Sequence, residues 1–84
     1  MAHIEVKLIA GVFTAAQKRE IVARLTDAMV AVEGDGLRRL TSCVIVEVAS
    51  GDWGVGGETM CADDIRALAR GELAASSPGD GDPR

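Results

Sequence analysis

Few side chains in this sequence are placed to do chemistry, and each admits a short list of roles. Arg38 and Arg39 stand side by side. A guanidinium offers a planar fork of N–H donors that meets a carboxylate bidentately, so the pair reads either as a carboxylate clamp or as a solvated loop pair. Trp53 is the only tryptophan, and it stands in Ala49-Ser50-Gly51-Asp52-Trp53-Gly54-Val55-Gly56-Gly57, a stretch holding four of the ten glycines. Glycine reaches backbone angles that other residues adopt only under strain, so the stretch doubles back tightly and its indole must lean on something outside it. That makes Trp53 a pocket wall or a subunit-packing residue. His3, the single histidine, falls on the polar side of its segment and reads as a solvent-facing or sheet-covering residue.

The same inventory excludes several chemistries. The glycine cluster is neither GxGxxG nor GxxxxGK[ST], so no nucleotide is implied. One histidine with no motif around it supports no Ser-His-Asp or Cys-His arrangement. Cys43 and Cys61 are too few and too far apart for a disulfide framework or a CxxC site, and one histidine completes no zinc set; both cysteines read as small apolar residues in a reducing compartment. No metal and no cofactor are implied. Net charge is −4, with 13 acidic and 9 basic residues and no basic stripe, which argues against nucleic acid. No apolar run approaches the roughly 20 residues of a membrane helix, and no secretory signal pattern opens the chain, so a soluble cytoplasmic protein is expected.

The elements that must position these residues are legible from spacing. His3 to Ala10 alternates, with Ile4, Val6, Leu8 and Ala10 on one side, and predicts a half-buried strand. Thr14-Ala15-Ala16-Gln17 is a capping box that opens a helix of about 19 residues, its apolar stripe formed by Ile21, Leu25, Ala28, Met29 and Val32 with Val22 beside them, and Gly34 and Gly36 mark its end. Ser42 to Ala49 is almost continuously apolar and β-branched, as in a strand covered on both faces, with Glu47 as an interruption for which Lys7 is a candidate partner. Strand, helix and strand form a βαβ unit with parallel strands and a right-handed crossover. Beyond the glycine-rich stretch, Cys61, Ile65, Leu68 and Ala69 predict a short helix ending at Gly71. The expected organisation is one domain over 1–71 and a disordered tail over 72–84, where breakers and polar residues outnumber apolar ones. An 84-residue chain buries only about 60% of its unfolded surface, so with disulfides and metals set aside, oligomerisation is the remaining source of stability.

The ordered set resembles the 4-oxalocrotonate tautomerase family: a strand opening His3-Ile4-Glu5-Val6-Lys7-Leu8, a capped helix, a buried second strand, then Trp53-Gly54-Val55-Gly56-Gly57. The resemblance covers residues 2 to about 58. It implies an α/β fold, a β-α-β unit with a parallel strand pair, a C-terminal glycine-rich β-hairpin and a short C-terminal helix, assembled as a hexamer or a trimer of dimers in which the hairpin packs on a neighbour. It also implies a cofactor-free isomerase that moves a proton within a small keto or enol carboxylic acid. In that family an N-terminal proline, exposed by loss of the initiating Met, is the acid–base group, arginines bind the carboxylates and polarise the carbonyl, and an aromatic residue keeps the pocket apolar.

Carried onto this chain, the proline position is Ala2 and the aromatic position is Trp53. Val12-Phe13 stands where one arginine is expected, and Ser42 where the other is, with Arg38 and Arg39 a few residues upstream. A free α-amine has an ordinary pKa of about 7.7 to 8.0, and an apolar pocket lowers it toward the range of a general base, so Ala2 is chemically able to serve once Met1 is removed. A primary amine is also able to form a Schiff base with a keto acid. Retained, Met1 would displace the amine by about 3.8 Å. The expected site is therefore Ala2 and Arg39 as catalytic residues, with Arg38 and Trp53 binding substrate. The alternative is a catalytically impaired homologue serving as an oligomeric scaffold or as a subunit of a mixed assembly, with Ala2 merely the first strand residue.

Overall fold

Where the sequence alternates, the chain is extended; where it carries a cap, it coils. The structure, a computed structural model, describes residues 1–71; the tail expected over 72–84 lies outside the described residues. Strand β1 spans His3–Ile9 and strand β2 spans Ser42–Val48, and the two are hydrogen-bonded neighbours. They run parallel: Ser42 N–H donates to the Ala2 carbonyl at 3.0 Å near one end, and Ala10 N–H to the Val48 carbonyl at 2.8 Å near the other. Two antiparallel strands can be joined by a tight turn, but a parallel pair needs a crossover, and helix α1, Ala15–Glu33, supplies it.

The chain divides into two compact units, residues 1–8 with 13–46, and residues 9–12 with 47 onward. In the first, α1 begins where the capping box places it. Gln17 N–H donates to Thr14 Oγ1 at 3.1 Å, and Thr14 N–H donates back to Gln17 Oε1 at 2.9 Å, so two of the helix's orphan donors are satisfied reciprocally. Gly34 ends the helix at φ 108° with its N–H on the Val30 carbonyl at 2.8 Å. The expected stripe needs correction. Val30 is buried, Lys18, Ile21, Val22, Leu25, Thr26, Met29 and Glu33 are half-buried, and Ala28 and Val32 are exposed, Val32 at 87%. The buried face is rotated from the 21-25-28-32 line toward 22-26-29-33, an equally regular helical row that carries polar residues and so is less visible in the sequence.

From Gly34 the chain does not run as a loop but winds into a 3-10 helix, Asp35–Leu40. Thr41 closes it: its Oγ1 lies within hydrogen-bonding reach of the Glu33 carboxylate and 2.9 Å from the Leu37 carbonyl, tying the end of α1 to the start of β2. Strand β2 is a second correction. From Ser42 to Val46 its side chains alternate, with Cys43 and Ile45 half-buried and Ser42, Val44 and Val46 exposed, so over that stretch one chain covers only one face; beyond it Glu47 is exposed and Val48 half-buried. Val44 is 43% exposed and Val46 37%. Glu47 does not interrupt a buried strand, and Lys7 pairs with Glu5 at 3.7 Å across the same strand face.

In the second unit, strands β3, Trp53–Val55, and β4, Glu58–Met60, pair antiparallel with Val55 opposite Glu58 and Trp53 opposite Met60. Two residues, Gly56 at φ 63° and Gly57 at φ 87°, make the turn. A two-residue hairpin whose twist matches its strands needs positive φ at both turn positions, and this is why two adjacent glycines stand there. Helix α2, Ala62–Ala69, follows, with the Ala62 N–H taken by Ser50 Oγ at 2.8 Å and Gly71 at φ 79° just past its end. Among the described residues of this unit, Ile9 and Ala62 are the buried apolar ones.

Candidate functional site

The start of the chain is held by the start of β2. Ala2 is half-buried, and the Ser42 N–H bonded to its carbonyl at 3.0 Å fixes the residue that would carry the free amine once Met1 is gone. Ser42 holds the next residue as well, since its Oγ lies 2.7 Å from His3 Nδ1. Both contacts follow from the parallel register, which sets these residues opposite one another with His3 and Ser42 on the same sheet face. His3 was read as a surface histidine; it is exposed, but its ring is anchored. No pattern in the sequence announced this pair, because the two residues are 39 positions apart and meet only through strand pairing.

The two arginines expected to act together are separated by the 3-10 helix that carries them. Such a helix turns once in three residues, so neighbours diverge by about 120° while residues three apart eclipse. Arg38 accordingly meets Asp35, Nε to Oδ1 at 3.5 Å, and reaches back to α1, where Nη1 donates to Asp27 Oδ1 at 2.9 Å. These carboxylates, the Asp27 hydrogen bond foremost, raise the pKa of the Arg38 guanidinium above its already high ordinary value and keep it charged. Arg39 is exposed and makes no hydrogen bond or ion pair with any described residue. Of the adjacent pair, one guanidinium is occupied by its own chain and one is available to a ligand.

Trp53 stands in the second unit, half-buried at the first position of β3 with Met60 opposite. Val12-Phe13 stands where one arginine is expected, and at the preceding Gly11 an arginine from elsewhere in the sequence is bound: Arg66 of α2 donates from Nη1 to the Gly11 carbonyl and from Nη2 to Asp63. At Gly11, φ is 89° and an added Cβ would meet Ala62 Cβ at an ordinary contact distance of 3.5 Å, so the backbone angle and not crowding calls for glycine there. Cys43 and Cys61 are free thiols, half-buried, with Cys61 Sγ donating to Asp64 Oδ2 at 3.3 Å. Among the described residues, no three His, Cys, Asp or Glu side chains gather as metal ligands, and no helix is long and apolar enough to cross a membrane.

Comparison with known proteins places this arrangement. The family model described as Tautomerase enzyme matches residues 3–62. Among solved structures, an apo unfused 4-OT is 33% identical with a TM-score of 0.61, over 68% of this chain and 95% of that one. A 4-oxalocrotonate tautomerase isozyme from Methylibium petroleiphilum is 28% identical with a TM-score of 0.61, over 75% and 95%. The F6 fused 4-OT, an asymmetric trimer, is 31% identical with a TM-score of 0.59, over 73% of this chain and 46% of that one. No curated protein matches the chain. With its parallel strand pair, crossover helix and glycine-turned hairpin in the same order, the chain belongs to the tautomerase family, on the 4-oxalocrotonate tautomerase side of it.

Proposed function

We propose that this protein is a cofactor-free tautomerase that moves a proton within a small keto or enol carboxylic acid. The α-amine of Ala2, freed by loss of Met1, is the acid–base group. In ketonisation its ammonium form gives a proton to the enol carbon, and the enol oxygen loses its own proton to the amine or to water, so the product is an isomer and nothing is consumed. Arg39 receives a substrate carboxylate as a bidentate partner, and the Trp53 of another copy supplies an apolar wall to the substrate. Arg38, assigned to substrate binding from the sequence, becomes in this reading a brace between α1 and the 3-10 helix.

One observation carries the reading: in a chain of this family, the residue at the amine position is half-buried and pinned by Ser42 at the head of the parallel pair. The working form is a homo-oligomer in which Val44 and Val46, bare on the single chain, are covered by other copies, as exposed apolar faces of this kind ordinarily are. A similar solved structure is an asymmetric trimer. An assay of enol ketonisation tests the enzyme: a rate above buffer that falls at least about tenfold in Arg39→Ala supports it, and no rate above buffer overturns it. Ala2 and Ser42 in place of the family's proline and arginine favour a second reading, a non-catalytic scaffold or one chain of a mixed assembly. Co-purification with a proline-initiated chain of similar size would support that reading.

A further inference from the structure

Ser42 contacts Ala2 and His3 with two different groups. Its backbone N–H holds the Ala2 carbonyl at 3.0 Å, and its hydroxyl meets His3 Nδ1 at 2.7 Å. The direction of this bond depends on the ring's tautomer, and the proposal below takes the one in which the hydroxyl donates to Nδ1. A ring that accepts at Nδ1 carries its proton on Nε2, and a cationic ring carries one there as well. In both states Nε2 is an N–H donor, and it has no hydrogen-bond partner among the described residues. The side chain is exposed, so a ligand can reach it without displacing protein.

The surrounding charges make this donor useful. Arg38 is ion-paired with Asp27 and Asp35, leaving Arg39 as the uncommitted guanidinium of the first unit's 3-10 helix. A keto acid presents two kinds of oxygen, and one guanidinium serves one of them. An anchored imidazole beside the amine-bearing residue offers a second, pre-positioned donor, and anchoring lowers the entropy lost when it is used.

We propose that His3, oriented by Ser42, is a substrate-binding residue whose Nε2 donates to a carboxylate oxygen of the acid held beside Ala2. Ser42 is the positioning residue that selects the ring's donor face. The proposal rests on the keto-acid reading above and adds a binding group to it.

Malonate, a small dicarboxylate without a reactive enol, is the probe. It is titrated into the full chain lacking Met1 while the His3 ring nitrogens are followed by long-range ¹H–¹⁵N NMR, with affinity measured for wild type, His3→Ala, His3→Gln and Ser42→Ala. We expect the Nε2 resonance to move on binding and the affinity to fall about fivefold or more in His3→Ala, in keeping with one exposed charge-assisted hydrogen bond. Ser42→Ala should weaken binding less and change the tautomer signature of the free ring. Circular dichroism confirms that each variant folds, and His3→Gln, which keeps an N–H donor, serves if His3→Ala does not. An unmoved Nε2 resonance, or equal affinity in wild type and the His3 variants, overturns the proposal. Ketonisation measured on the same samples separates the two ideas. Binding at His3 without turnover overturns the enzyme reading and keeps this one, whereas turnover insensitive to His3 does the reverse.

Discussion

Arg38 Nη1 donates to Asp27 Oδ1 at 2.9 Å, and this contact between the 3-10 helix and α1 assigns different work to two arginines that are neighbours in sequence. A guanidinium already facing two carboxylates has little left to offer a third. Arg38→Ala should therefore leave KM for a keto or enol acid within about twofold, while Arg39→Ala raises it about tenfold or lowers kcat/KM by as much. Steady-state kinetics of the two variants check this, and equal losses would show that the pair acts together after all.

The hairpin turn gives a prediction about stability alone. Gly56 and Gly57 have positive φ with no atom within 4 Å of an added Cβ, so backbone strain and not crowding opposes a side chain there. Gly57→Ala should cost about 1–2 kcal/mol. Gly36, whose surroundings are equally open and whose φ is not positive, is the control: Gly36→Ala should be neutral or stabilise by about 0.4–1 kcal/mol. Urea denaturation of both variants makes the comparison.

Thr14 satisfies Gln17 N–H while Gln17 satisfies Thr14 N–H. Thr14→Ala breaks one half of that exchange and should destabilise by about 1 kcal/mol, read from the same denaturation curves. A loss well below this would mean that the helix start is held by packing.

The open face of β2 bears on assembly. Val44→Lys or Val46→Lys places a charge where the proposed oligomer buries a methyl pair, and burying an unpaired charge costs far more than the surface gains. Size-exclusion chromatography with light scattering should show either variant as a smaller species than wild type. An unchanged mass would place the interface elsewhere.

Much of this architecture was legible because it rests on local rules. The capping box fixed the start of α1, Gly34 its end, and the paired glycines the hairpin. What was not legible depends on partners distant in sequence or absent from the chain. Ser42-Cys43-Val44-Ile45-Val46 is apolar at both parities and read as a strand covered on both sides, but one chain covers only the Cys43 and Ile45 side. The 3-10 helix left no periodic signature, since six residues with a glycine inside them carry no apolar stripe. The roles of Arg38 and Arg39 followed from that helix and could not be told apart without it. The His3–Ser42 contact and the reach of Arg66 to Gly11 are products of strand pairing and of α2's placement, which no spacing encodes.

The central claim is that the amine of Ala2 is the acid–base group, and the chemistry of its release tests it most directly. Two preparations are compared, one shown by intact mass to begin at Ala2 and one made to retain Met1, on the ketonisation of a small enol acid. A displaced and covered amine should lower the rate by about 100-fold or more in the Met1-retaining chain. Equal rates in the two preparations would show that some other group moves the proton.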